Sequence, residues 1–339
     1  MSLKTEAWAY FDRIVSDATP GGVHSNPWGV DREGLLTYEP DFGTLEKLLG
    51  VPLYLKAATQ TGVPALALDV WLSYELRRAG FNHDAVWPRP NHPRILPQPV
   101  AKLIESAPKK LGAEIASLLS TKSAIPGVTA ASASILGKNY LKQVDVIMTD
   151  WQTGPELLIS TKRMDSSFGK NAANRVEESY GDAKNLRLRH PLAALGFVFG
   201  LRSTILDEEP LKAEWLIDLL EKLGHEDDAY HATCLVMIEY GSEAELPAED
   251  EIVDDEDRLV SAGLEANPEE DEVIPAEDAS QIDAVLSALP MVSIRHDKIP
   301  AALSPARFLE TMVRRVIAAA PTTMHRGARG RIKEVVERS

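Results

Sequence analysis

The stretch QVDVIMTDWQTGPELLISTKRM, residues 143–164, decides the fold of this chain. Two runs rich in apolar and β-branched residues, 144–149 and 156–164, flank the short turn at 151–155. Residues of these types favour strands, and the Gly-Pro pair in the turn can reverse the chain. The stretch therefore predicts a β-hairpin.

The register of this hairpin follows from the position of its turn. If the turn centres between Gln152 and Thr153, Asp145 lies opposite Ser160. Side chains alternate along a strand, so Ser160 and Lys162 share one face, and Asp145 lies across from them on that face. Cross-strand neighbours are about 5 Å apart, so an acid, a hydroxyl and a lysine are predicted to converge.

Length and composition indicate a folded protein without a membrane partner. The 339 residues allow about two domains, and 44% apolar with 26% charged residues is ordinary for a globular chain with a sizeable core. A single cysteine, Cys234, excludes an internal disulfide and any multi-cysteine metal site. The first residues lack the order of a signal peptide, and the longest nearly apolar run, 192–201, is too short to span a bilayer. We expect a cytoplasmic protein.

The net charge of −15 is concentrated in one segment. Residues 243–278 contain 16 acidic residues and one basic residue, Arg258, so the rest of the chain carries 35 of each sign. Outside this segment the chain is neutral, and the overall charge does not argue against a nucleic-acid partner.

Patterns along the chain predict four regions. Residues 1–99 form a helical N-terminal region with helices near 5–15, 41–49 and 63–79, followed by a proline-rich extended connector, 84–99. Residues 100–242 form an α/β core, and 243–278 form an acidic, mobile linker. Residues 279–339 form a C-terminal helical segment with a helix at 304–320 and a basic tail.

The predicted elements of the core follow a definite order. A helix at 100–119, kinked near Pro108, precedes the hairpin strands, and a helix at 167–185 and a strand at 192–201 follow them. A further helix, 212–223, and a strand, 232–240, complete the core. With residues 128–136 supplying one more strand, this order resembles the restriction endonuclease-like αβββαβ core of the PD-(D/E)XK nuclease superfamily. The resemblance rests on Asp145 and on Ser160-Thr161-Lys162, which stand where that family carries its Asp and its (D/E)-x-Lys.

The resemblance implies an α/β (α+β) nuclease: a DNA endonuclease of the restriction or phage-defence type, dependent on Mg²⁺ (or Mn²⁺). Its implied partners are double-stranded DNA and a second copy of the chain in a homodimer. Asp145 would hold the metal, which takes carboxylate oxygens and bridges to phosphate. Lys162 would act on the attacking water or stabilise the developing oxyanion.

The sequence departs from the family pattern at Ser160, a weak metal ligand that stands where a second carboxylate is expected. Compensating carboxylates are predicted from the flanking helices: Glu177, Glu178 and Glu114. Glu156 is a weaker candidate because it lies six residues from Lys162. The helix after the hairpin also offers phosphate-contacting residues: Lys170, Asn171, Asn174 and Arg175.

Other interpretations of the same residues stay open. The chain could be a non-catalytic protein that keeps the nuclease fold as a DNA-binding or assembly subunit, with Ser160 marking a lost site. Asp145 and Lys162 could form only an ion pair, and the polar face of the following helix could simply be solvated. A phosphate-binding loop at 137–139 is excluded because Ser132 and Asn139 stand where the motif needs Gly and Ser/Thr. A Ser-Lys hydrolase dyad is disfavoured because Ser160 lies in mid-strand.

Overall fold

A mixed sheet of six strands organises the part of the chain that the structure describes. In this computed structural model the described residues are 2–121, 125, 128–129, 133–166, 168–225, 229–241, 244, 246 and 279–338. The strands are β1 (Trp28–Val30), β2 (Leu36–Tyr38), β3 (Val86–Trp87), β4 (Ala133–Leu136), β5 (Leu141–Val144), β6 (Val146–Asp150), β7 (Gly154–Met164), β8 (Ala194–Arg202), β9 (Ala232–Tyr240) and β10 (Val292–Ile294). The main sheet has the order β10-β9-β8-β7-β6-β3. Strands β7, β8 and β9 are parallel, and the outer strands pair antiparallel.

Eleven α-helices within the described residues surround this sheet. They are α1 (Leu3–Asp17), α2 (Phe42–Tyr54), α3 (Val63–Arg78), α4 (Gln98–Ser106), α5 (Lys109–Thr121), α6 (Phe168–Arg187), α7 (Ile205–Glu208), α8 (Pro210–Leu223), α9 (Ala279–Ser287), α10 (Pro305–Ala319) and α11 (Arg326–Val336). The predicted helices near 5–15, 41–49, 63–79, 167–185, 212–223 and 304–320 are confirmed, and the predicted kink near Pro108 separates α4 from α5. Of the described helices, none has the length and apolar character needed to cross a membrane.

The two faces of the sheet carry separate hydrophobic cores because strand side chains alternate. Ile159 and Val198 lie in the core shared with α1, α2, α3 and α10. Leu158 and Phe197 lie in the opposite core, shared with α6 and α8. The sheet is thus the middle layer between two layers of helices.

The predicted hairpin is confirmed as the antiparallel pair β6–β7. Asp150 pairs with Gly154, and the register then shifts between Met148 and Thr149, which leaves Glu156 as an extra residue in β7. Val146 consequently pairs with Ile159, which is the register that the sequence predicts, and the pairing of the two strands ends there. The bulge compensates for a turn that centres slightly earlier than expected.

Beyond Val146 the two strands separate. A bend at Asp145 separates β6 from β5, the strand that precedes it. Strand β5 pairs with β4 in a separate two-stranded sheet. The strand predicted within 128–136 therefore forms, as β4, but it does not join the main sheet. The α/β class is confirmed, whereas the specific αβββαβ nuclease core stays a prediction.

Residues of different predicted regions share the main sheet and one hydrophobic core. The connector predicted at 84–99 supplies β3 to the edge of the main sheet. One hydrophobic core includes residues from both 1–99 and 279–338 together with the sheet. The boundaries at 99 and 278 stay predictions about the chain's organisation, and the acidic segment 243–278 lies outside the described residues except for positions 244 and 246.

Candidate functional site

The candidate site lies where β6 and β7 separate. At this point β7 continues past Ile159, whereas the segment that precedes β6 bends away at Asp145. The carboxylate of Asp145 takes the place of the missing strand partner, because its Oδ2 accepts a hydrogen bond from the backbone N–H of Thr161 at 2.7 Å. The bend thus fixes an acidic side chain against the edge of β7.

A second carboxylate, Asp69, reaches the same residue from helix α3. The hydroxyl of Thr161 donates a hydrogen bond of 2.6 Å to Asp69 Oδ1, and Asp69 is only 8% exposed. Thr161 therefore bonds one carboxylate with its backbone and the other with its side chain. The two acids are therefore hydrogen-bonded to the same residue.

The negative charges of Asp69 and Asp145 repel each other. Burial, and then the negative charge of Asp145, raise the pKa of Asp69 well above its usual value. The hydrogen bond from Thr161 and the charges of Lys4 and Lys162 oppose this rise but do not cancel it. A proton or a cation bound between the acids would relieve the repulsion.

The three residues predicted to converge lie around the same fork. Ser160 is buried one position beyond the last paired residue of β7, Ile159, and Lys162 is half-buried two residues further along the strand. Lys162 lies close enough to act electrostatically on Asp69. The sequence pattern thus identified this part of the sheet but only one of its two carboxylates.

The predicted sources of a second carboxylate lie elsewhere. Glu177 and Glu178 are exposed on α6, and Glu114 is exposed on α5. Glu156 is buried, but it accepts a hydrogen bond from Thr153 and contacts His325 at 3.2 Å. The structure brings Asp69 to Asp145 instead. The signal for Asp69 was a single acid inside the apolar run VPALALDVWLSY, since an acid is rarely buried without a partner.

The predicted phosphate-contacting residues lie in the first half of α6. The backbone of Lys170, Asn171, Asn174 and Arg175 is helical. Their side chains lie outside the described part of the structure. Their role in binding DNA stays a prediction.

Within the described part of the chain, two groups of side chains offer ligands for a metal ion. Asp69 and Asp145 offer the carboxylate oxygens that Mg²⁺ and Mn²⁺ prefer, and Mg²⁺ is commonly held by one or two carboxylates while it keeps several waters. The raised pKa of Asp69 fits such a group, because a cation would satisfy the paired negative charges.

The second group is formed by His83, Asp84 and Glu105, whose ligand atoms lie within 4.8 Å of one another. There Arg89 already binds Asp84 Oδ1 at 2.6 Å and competes with a metal. We therefore place the stronger candidate at the fork.

Comparisons with known proteins give no relative for this chain: no family model, no curated protein and no solved structure matches it. The interpretation of the fork rests on its own geometry.

Proposed function

We propose that this chain hydrolyses phosphodiester bonds of double-stranded DNA with Mg²⁺ or Mn²⁺, and that Asp69 and Asp145 hold the metal. The observation that supports this most directly is the pair of carboxylates, buried Asp69 and half-buried Asp145, that are both hydrogen-bonded to Thr161. Repulsion between two acids at a strand fork, together with the burial of Asp69, costs stability. Such a cost is typical of a site kept for function.

The side chains at the fork have distinct roles in this proposal. A divalent metal, when bound, would neutralise charge on the phosphate and make a bound water a better nucleophile. Lys162, whose charge acts on Asp69, would orient the attacking water or donate a hydrogen bond to the developing oxyanion. Thr161 is a positioning residue, since it fixes both carboxylates through its N–H and its hydroxyl.

The position of Asp69 gives a reason why Ser160 need not be acidic. Successive residues of β7 face opposite sides of the sheet, and Thr161 faces α3, where Asp69 lies. The second carboxylate of the proposed site therefore comes from helix α3 and not from strand β7. By resemblance to the PD-(D/E)XK enzymes, a homodimer would cut both strands of the duplex.

The proposal is tested by incubating the purified protein with plasmid and phage DNA in Mg²⁺ or Mn²⁺. Variants Asp69→Asn, Asp145→Asn and Lys162→Ala are compared with the native chain, and Glu178→Gln is the matched control because it removes an exposed carboxylate. We expect the three site variants to lose at least about a hundredfold in rate, since each removes an electrostatic element of the transition state. The control should stay within about twofold of the native rate, because it touches none of these elements.

The outcomes separate catalysis from binding. Mn²⁺ binding by the native protein is measured in parallel by calorimetry. No cleavage despite Mn²⁺ binding that depends on Asp69 and Asp145 would replace the enzyme proposal with the non-catalytic DNA-binding or assembly subunit. Cleavage that survives both aspartate variants would refute the site.

A further inference from the structure

A cavity lies between helices α1 and α3 and the loop that follows β3. Its volume is about 310 Å³, near the lower end of the range for small-molecule sites. Residues that line it include Trp8, Asp12, Val70, Ser73, Arg77 and Asn91. None of these residues belongs to the fork of β6 and β7, so the cavity is a separate feature of the fold.

Arg77 is the unusual residue of this cavity. It is only 5% exposed, and its Nη2 donates hydrogen bonds to the backbone carbonyls of Val86 and Pro88. Among the described residues its buried Nε has no hydrogen-bond partner. Burial, followed by the positive charges of Arg89 and Arg94, lowers the pKa of Arg77 to about 9. A buried guanidinium with an unused donor is costly unless something else compensates it.

The neighbouring charges leave Arg77 as the unmatched cation. Arg89 is paired with Asp84 at 2.6 Å, and Arg94 is paired with Asp12 at 2.7 Å. The cluster of three arginines and two aspartates therefore keeps one excess positive charge. Both carboxylates are already bound by other guanidinium groups.

The cavity also offers apolar surface beside this charge. Val70 and Trp8 belong to the hydrophobic core around the sheet. Arg94 lies over the ring of Trp8, with its guanidinium carbon 3.8 Å from the ring centroid, and so holds that ring in place. A ligand with one charged end and a small apolar body matches this arrangement.

We propose that this cavity binds a small organic anion whose single carboxylate or phosphate group pairs with Arg77 and whose apolar part lies along Trp8 and Val70. An N–H of a guanidinium group donates to a carboxylate or a phosphate oxygen alike, so the two chemistries share one recognition mode. The one excess charge of the arginine cluster matches one anionic group. This site is independent of the proposed nuclease activity.

The test uses benzoate and phenyl phosphate as probes and neutral benzamide as the reference, titrated calorimetrically into the full chain at constant ionic strength. We expect saturable one-to-one binding of at least one of the two anions and none of benzamide. The stronger anion identifies whether the site prefers carboxylate or phosphate. Arg77→Gln should abolish the binding.

Because Arg77→Gln removes a buried contact, a second variant keeps the test decisive if that protein fails to fold. Asn91 is exposed at the rim of the cavity, so Asn91→Glu adds a negative charge without disturbing the core. It should weaken anion binding about tenfold, the size of one like-charge interaction at partial exposure. Asn139→Glu, an equally exposed change on the β4–β5 hairpin, is the matched control and should leave the affinity within about twofold.

Three results would overturn the proposal: no saturable binding of either anion, benzamide binding as tightly as benzoate, or equal anion affinity in the native chain and Asn91→Glu.

Discussion

Replacing Asp69 with asparagine should stabilise the metal-free protein at neutral and alkaline pH and remove its response to divalent metal. The side chain is buried, and Asp145 lies close enough to raise its pKa. Asparagine has nearly the same shape and keeps an oxygen that can accept the 2.6 Å hydrogen bond from Thr161. The variant therefore removes the charge and little else.

The size of the effect follows from proton linkage. The pKa of Asp69 is raised on folding, so between the unfolded value of 3.8 and the folded value the native state holds a proton that the unfolded state has lost. The corresponding stability is complete below pH 3.8 and is lost as pH rises through the folded value. One proton corresponds to about 1.4 kcal/mol for each pH unit in that window. Asp69→Asn lacks this slope, so the two stability curves should diverge as pH rises.

The assay is urea unfolding followed by circular dichroism from pH 5 to pH 9, first with EDTA and then with Mn²⁺. A metal at ten times its dissociation constant adds about 1.4 kcal/mol to a protein that binds it only when folded. We expect this gain in the native chain and in Glu178→Gln, and its absence in Asp69→Asn. Parallel pH profiles in EDTA, or an equal gain from Mn²⁺ in Asp69→Asn, would refute the reasoning.

Three further substitutions test other parts of the structure. Thr161→Val removes the hydroxyl donor to buried Asp69 and should lower the free energy of unfolding by about 1–3 kcal/mol, whereas Thr161→Ser, measured by the same urea titration, should keep most of it. Gly196→Ala places a methyl group 2.7 Å from the Phe308 ring and should cost about 1–3 kcal/mol by overpacking, which a lowered melting temperature would show; an unchanged melting temperature would contradict the close packing of α10 on β8. Among the described residues, the buried Nε2 of His231 has no hydrogen-bond partner. Burial, with Arg315 and Arg187 adding to it, lowers the pKa of His231 to about 3. The free energy of unfolding of the native chain should therefore fall as pH drops from 6.5 towards 3. His231→Asn keeps a hydrogen-bond acceptor but cannot be protonated in this range, so chemical unfolding of this variant should show a smaller loss of stability at acid pH.

Local patterns in the sequence were enough for the elements with strong periodicity. The helix at Val63–Arg78 and the strand at Ala232–Tyr240 lie within one residue of their predicted bounds, because apolar spacing and glycine stops fix such elements locally. The hairpin register was also predictable, since a one-residue slip would have moved Leu158 and Ile159 to the wrong cores.

Contacts between distant segments could not be obtained in this way. Strand β3 has two residues and β10 has three, so neither shows the alternation by which a strand is identified, and both join the sheet through tertiary packing. The separation of β5 from β6 depends on the bend at Asp145, which no local preference of that residue type predicts. Asp69 reaches Thr161 across 92 positions of sequence, and only the packing of α3 on the sheet brings them together.

The same packing explains why the motif residue Ser160 and the acid Asp145 were insufficient to define the site. The register predicted from the sequence places the hydroxyl and the acid opposite each other, but the carboxylate of Asp145 accepts its hydrogen bond from the N–H of Thr161, the residue after Ser160. Thr161 faces α3 whereas its neighbour Ser160 lies on the other side of the strand, so the carboxylate pair forms on the edge and the α3 face of β7. An acid at position 160 would be buried on the α6 side, where it would add a third, desolvated negative charge close to Asp69 and Asp145. A serine is therefore the residue that this geometry tolerates, and the loss of the expected motif carboxylate does not by itself imply the loss of a metal site.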